Sequence, residues 1–225
     1  MCPFSPVNSW NQTQSFDYFE IQRKRIASVD LGWVSQALDI IQREMISSDK
    51  LSLKDVGCQM FQFYKGLKKR KLGIKYYGYD LDESYIKFGL KYFPELENQI
   101  IVGDFTAVQV IKSTSISVCS ATMEHIENWH LFLKIFLSST QTLGIIRTFL
   151  GEKGDNIYVR ATGALSDYPI RQFEYAELFD AIESLGWHPE LEKDIYTRSL
   201  PVTKVIGPDE VEVVRTCFFV VCKPK

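Results

Sequence analysis

Apolar positions along this chain change their period near residue 50. Before it, "DYFEIQRKRIAS" and "DLGWVSQALDIIQREMISS" repeat apolar residues every three to four positions, placing Trp33, Ala37, Ile40, Ile41 and Met45 on one stripe with Asp30 as an N-cap. This predicts helices starting near Phe16 and laid over a sheet. After it, short β-rich runs recur: "LSLKDV" (51–56), "IKYYGYD" (74–80), "QIIVGD" (99–104), "SISVCSA" (115–121) and "LGIIRTFL" (143–150). Stretches of helical character separate them, at 59–71, 83–93, 105–112 and 126–139. Several runs are apolar on consecutive positions, as strands covered by helices on both faces are, so the alternation predicts an α/β fold with a doubly wound, parallel sheet.

Beyond residue 151 the rhythm changes. "EKGDNIYVRATGALSDYP" has turn residues around a short apolar centre and predicts a hairpin or a loop over the sheet. "RQFEYAELFDAIESLGW" puts Tyr175, Leu178, Phe179, Ile182 and Leu185 on one helical face, with Gly186 where a left-handed C-cap is wanted. Two last strands, near 190–198 and at 211–223, are close enough to pair as an antiparallel hairpin at one sheet edge. Residues 1–15 are polar and carry two prolines, which predicts a loose lead-in. No repeat or linker divides the 225 residues, so the expectation is a single domain: a helical cover over 1–50 and a core over 51–225.

Composition narrows the classes. An apolar share of 45%, a charged share of 24% and a net charge of −2 describe an ordinary globular chain with no field to gather polyanions, so nucleic acid is not an expected partner. The one basic run, "KGLKKRK" (65–71), falls at a helix end, where cations complement the dipole. Five scattered cysteines (Cys2, Cys58, Cys119, Cys217, Cys222) without CxxC spacing fit free thiols in a reducing compartment, and with three histidines no metal cluster is expected. The opening "MCPFSPVNSWNQTQSF" lacks the basic and apolar stretches of a secretory signal, and no segment approaches the ~20 apolar residues that cross a bilayer. A cytoplasmic location with no membrane partner follows as the expectation.

In a doubly wound sheet the ligand lies beyond the carboxyl ends of the strands. Those ends are Asp55, Val56, Gly57 and Cys58; Tyr79, Asp80 and Leu81; Gly103, Asp104 and Phe105; and Ser120, Ala121 and Thr122, so three carboxylates converge on one rim. Gly57 permits close approach of the backbone to a ligand. Asp80, 23 residues after Gly57, is placed to accept from ribose hydroxyls, near the ~20-residue interval that role needs. Asp104 can accept from an exocyclic amine while Phe105 offers a face to a purine. Asp55 favours a nearby ammonium or sulfonium and would repel a pyrophosphate.

The series "LKDVGC", "YYGYDLDESYI", "IIVGDF" and "SVCSATMEHIENW" resembles the class I S-adenosylmethionine-dependent methyltransferases of small-molecule type, in order and interval, over about residues 51–150. The resemblance implies a Rossmann-like, seven-stranded, mostly parallel sheet with one antiparallel edge hairpin and N-terminal helices closing over a small-molecule methyl acceptor. By position it implies Asp55, Gly57, Cys58 and Gln59 beside the methionine part of S-adenosylmethionine, Asp80 on the ribose, Leu81, Asp104 and Phe105 at the adenine, and Ser120 and Ala121 bordering the sulfonium. The transferred methyl would go to oxygen or nitrogen.

The chain departs from the family's acidic-x-Gly-x-Gly-x-Gly loop, with Gln59 at the second glycine and Phe61 at the third. Gln59 either donates to the cofactor carboxylate or narrows the slot; in the second case the chain is an inactive binding or partner protein on the same fold. His125 is a candidate general base, its ordinary pKa of ~6.5 suiting proton removal, although Glu124 and His125 serve equally as a helix-start cap. Asp80, Asp82 and Asp104 are also natural caps for the segments after them. The aromatics Trp10, Phe16, Tyr18 and Phe19, with Arg23, either cover the pocket or pack on the sheet. A nicotinamide-dependent oxidoreductase is disfavoured, because GxGxxG is absent.

Overall fold

Leu53, Tyr76, Val118, Ile145 and Phe219 face one buried cluster, whereas Val56, Tyr79, Cys119, Ile146 and Val220, each an odd number of positions further along, face a second. Strand side chains alternate between faces, so this sheet is buried on both sides. The computed structural model describes residues 16–28, 30–44, 50–159, 168–196, 203–206, 211–214 and 217–225. Helices α1 (Phe16–Ser28), α2 (Gly32–Glu44), α3 (Gln62–Lys69) and α4 (Glu83–Leu90) contribute to the first face, and α5 (Trp129–Ser138) and α6 (Tyr175–Ser184) to the second.

The central sheet runs β3 (Ile100–Val102), β2 (Lys75–Asp80), β1 (Ser52–Val56), β4 (Thr114–Ser120), β5 (Thr140–Gly151), β11 (Cys217–Pro224), β8 (Trp187–Lys193). The first five pair in parallel, and β11 lies antiparallel between β5 and β8, which forms the edge. The chain winds outward from β1 to β3 and then returns to β4 on the other side of β1, so the strand order reverses between β1 and β4. In open α/β sheets that reversal opens a crevice at the strand ends.

The five expected strands and the edge hairpin are present, with several departures. Residues 105–112 form a single turn on Asp104, whose carbonyl accepts from Ala107 and Val108 at 2.9 and 3.0 Å. Phe105, Val108 and Ile111 still pack inward, a three-residue spacing that mimics a helix. The 152–169 segment carries β6 (Asp155–Val159), antiparallel to β7 (Tyr168–Glu174), which also joins β5 in parallel and so takes the residues expected to open α6. The last expected strand divides into β10 (Val211–Val214), paired with β9 (Thr203–Ile206), and β11. Strand β8 starts earlier than the expected 190–198. Gly186, at φ 82, has the left-handed conformation expected of it.

Asp82, not Asp80, caps α4, accepting from Ser84 and Tyr85 backbone N–H. Helix α2 opens at Gly32, and the Asp30 carboxylate turns away to Lys69. Two more members of the basic run are likewise paired: Lys68 with Glu95 at 2.6 Å, and Arg70 with Asp39 at 2.5 Å and Gln42 at 2.6 Å. Among the described residues no helix is long and apolar enough to cross a membrane.

Candidate active site

Beyond the carboxyl ends of β1 and β4, beneath α1 and α2, lies a cavity of about 240 Å³. Asp55, Gly57, Cys58 and Gln59 line it from the end of β1, Ser120 and Ala121 from the end of β4, Arg147 and Phe149 from β5, and Trp33 and Tyr196 complete this part of the wall. The loop after β1 is fixed by β2, since the N–H groups of Gly57 and Cys58 both donate to the Tyr79 carbonyl, at 2.8 and 3.1 Å. At φ 81, Gly57 also packs so closely on Thr122 that a Cβ there would stand 2.0 Å from its Oγ1.

Backbone strain collects at this place. Among the described residues, four non-glycine positions have left-handed φ, and three of them, Gln59 (φ 46), Phe61 (φ 66) and Ala121 (φ 51), follow β1 and β4. Each costs roughly 1–2 kcal/mol, and such strain persists where surrounding structure over-determines it. The two substituted glycine positions behave differently. Phe61 is fully buried in the first cluster against Gly89, where an added Cβ would meet its ring at 2.7 Å, so it packs loop against α4 and leaves the cavity free. Gln59 lines the cavity, and its N–H donates to Asp80 Oδ2 at 2.7 Å.

Two buried carboxyls define the electrostatics. Burial pushes Asp55 up to about 7, against the opposing hydrogen bond from Tyr76 Oη at 2.7 Å. Asp80 is raised to about 6, again chiefly by burial, although it accepts from Gln59 N and, at 2.9 Å, from Asp82 N. Each Asp80 oxygen therefore holds one backbone N–H and keeps further acceptor capacity. Asp80 and Leu81 adjoin the β1 loop outside the cavity wall. Asp104 uses Oδ1 on the N–H and hydroxyl of Thr106, at 2.8 and 2.7 Å. Phe105 is 5% exposed, its ring 5.2 Å from Tyr79 and 5.4 Å from Phe132, so it is a core side chain.

His125 ends a short 3-10 turn, Met123–His125, and is not part of the cavity wall. Its neighbour Glu124 is buried, accepts from Thr148 Oγ1 at 3.0 Å, and is raised above the usual carboxylate range by burial. Phe19 stacks on Tyr85 at 5.5 Å and Arg23 pairs with Glu20, so both pack on the protein; Trp10 and the side chains of Phe16 and Tyr18 lie outside what the structure describes. Cys58, Cys119, Cys217 and Cys222 are buried free thiols.

Arg147 is a site residue that strand-end spacing does not single out. Its Nε and Nη2 bind Asp194 Oδ2 at 2.9 and 2.7 Å, and the two side chains are 8% and 0% exposed. A signal existed, since Arg147 is the one charge inside the apolar run "LGIIRTFL". The partner, 47 residues away, left no local trace.

The central strand order, antiparallel at β11, with a cavity at the reversal point, is the fold the chain shares with solved S-adenosylmethionine-dependent methyltransferases. The chain superposes on such an enzyme from Clostridium acetobutylicum with a TM-score of 0.63 at 10% identity, over 93% of this chain and 98% of that one. Similar matches are magnesium protoporphyrin IX methyltransferase from Synechocystis, solved with its cofactor bound (TM-score 0.62, 12% identity, 97% and 95% covered), and the Burkholderia thailandensis 1,6-didemethyltoxoflavin-N1-methyltransferase (0.62, 9%, 100% and 93%). No family model matches the chain, and no curated protein matches it in sequence.

Proposed function

We propose that this protein binds S-adenosylmethionine and transfers its methyl group to an oxygen or nitrogen of a small molecule. The observation that carries the reading is the cavity itself: it opens at the strand-order reversal, and the side chain at the third glycine position points into the core instead of filling it. The residues present fit the group. Asp55 offers a carboxylate to the cationic methionine end, Asp80 has acceptor capacity for ribose hydroxyls, and the Asp104 oxygen not engaged by Thr106 can take an adenine amine. Cys58 and Gln59 flank the methionine part, with Ser120 and Ala121 across from them; Leu81 borders the adenine. Phe105 supports that end from the core instead of stacking on the base.

S-adenosylmethionine, when bound, supplies a methyl on a sulfonium, and the acceptor's lone pair takes that methyl while the breaking bond's electrons return to sulfur. The protein's part is positioning and exclusion of water, which accounts for much of the barrier reduction when a good nucleophile is aligned. His125 stands outside the cavity wall and has no proton-transfer part in this reading. Helices α1 and α2 serve as a cover over the acceptor. Calorimetric titration tests the proposal: heat is expected with both S-adenosylmethionine and S-adenosylhomocysteine, and none at ~1 mM of either defeats it. Gln59→Gly separates this reading from an inactive binding protein. A working site changes its affinity by less than about threefold, whereas a site blocked by that side chain gains affinity.

A further inference from the structure

The part of the cavity wall that β5 supplies, with β4 between it and β1, has its own chemistry. Arg147 reaches it from β5, and its guanidinium is clamped on one side by Asp194, whose other oxygen accepts from Tyr196 N at 2.8 Å. The other side is Nη1, which among the described residues makes only a long 3.4 Å contact with Ser120 Oγ, at the limit of a hydrogen bond. A buried guanidinium with unused N–H groups is poised for a planar anion, for which its fork geometry is suited.

Flat apolar surface surrounds it. The guanidinium carbon lies 5.7 Å from the Trp33 ring centroid, and Phe149 and Tyr196 complete the wall. Tyr196 is fixed by Gly32, where a Cβ would meet its Cδ2 at 3.2 Å. The charges in this wall are Arg25, Arg147 and Asp55, with Asp194 behind Arg147. A bound sulfonium cofactor would add a further positive charge, which an anionic acceptor offsets.

We propose that the methyl acceptor is a flat aromatic molecule bearing a carboxylate, held with the carboxylate on Arg147 Nη1 and the ring against Trp33. The proposal rests on the methyltransferase reading for the word acceptor, but the carboxylate site is a claim about this chain's own residues.

The test is calorimetric titration with benzoate and 2-naphthoate against benzamide and 2-naphthamide, with and without saturating S-adenosylhomocysteine. The acids are expected to bind at least tenfold more tightly than the amides. The double variant Arg147→Met with Asp194→Asn, which leaves neither charge orphaned, is expected to abolish that preference. Should it fail to fold by circular dichroism, Arg147→Lys provides the comparison, with the preference expected to drop below threefold. Equal binding of acid and amide, or a preference that survives in the folded variant, overturns the proposal. So does absence of acid binding in a protein that binds S-adenosylhomocysteine, which leaves the methyltransferase reading intact. Acid binding without any heat from S-adenosylhomocysteine supports the carboxylate site and defeats the methyltransferase reading instead.

Discussion

At Gln59 the backbone adopts φ 46 while its N–H holds Asp80, so the residue that replaces a glycine fastens the tip of β1 to the tip of β2. Asp55 sets the chemistry beside it. With its carboxyl near 7, it is largely protonated in mildly acid solution, and a cationic ligand favours the ionised form. Affinity for S-adenosylhomocysteine is therefore expected to fall as pH drops below about 7, by up to roughly tenfold per unit, and Asp55→Asn to flatten that profile. Titrations at several pH values check it; a wild-type profile no steeper than the variant's would remove Asp55 from the site. That the strand ends carry the candidate residues was legible from the alternation of strand and helix, since β1 and β4 end where the cavity opens. Directions were not: Phe61 and Phe105 are both aromatic residues in loops, and only packing against Gly89, Tyr79 and Phe132 reveals that each points inward.

Helices α1 and α2 both pack on α3, and α2 also meets the sheet directly, at β5 and through Gln36 and Arg43 at β8; the contacts are ionic as well as apolar. Arg70, just past α3, donates to Asp39, Gln42, and the carbonyl and hydroxyl of Ser35, all on α2. The Arg70 side chain is 25% exposed and that of Asp39 65%, so the clamp draws on the number of its bonds, one of them to a backbone carbonyl, more than on the ion pair itself. Arg70→Ala is expected to cost about 1–2 kcal/mol, read as a lowered urea midpoint. Because α2 carries Trp33 to the cavity, the same variant should loosen that wall; an unchanged midpoint would mean the clamp contributes nothing. Apolar period fixed the central strands and the helices α2 to α6 to within a few residues. It misplaced 105–112, since a turn that buries every third residue carries the same signature as a helix. It also merged β10 with β11, a continuous β-rich run in which only pairing to different strands marks the division.

Over the whole molecule, buried ionisable groups of both signs shape the response to pH. Asp55, Asp80 and Glu124 are raised by burial, so the folded state binds more protons than the unfolded one from about pH 4 to 7, and stability falls across that window as pH rises. Lys54, fully buried in β1 and bound to the Ser139 carbonyl at 2.6 Å, is lowered from 10.5 to about 7. Above 7 the unfolded chain holds the extra proton on Lys54, and stability rises with pH until, near 9, the thiols of Cys58, Cys119 and Cys222, all raised by burial, reverse the trend. The ligand-free protein is thus expected to show a shallow minimum in unfolding free energy near neutrality. Lys54→Met should remove the alkaline arm and raise stability at pH 7, measured by urea unfolding at pH 5, 7 and 9. Neither the arm nor the minimum was visible in the sequence: Lys54 stands beside Asp55, a neighbour as usual for a surface lysine as for a buried one, and its depth follows from the helices that close over both faces.

Strand β11 occupies an interior position between β5 and β8, although it comes after both in the chain. While the polypeptide emerges from the ribosome, β5 has no neighbour on that flank and β8 has no central-sheet partner until residues 217–224 have been made. Two unpaired edges with apolar side chains then wait together in the nascent chain, a state prone to wrong pairing. Correct assembly therefore depends on the late arrival of residues 217–224, which work as a zip fastener, drawing β8 into the sheet after β5 has already been made.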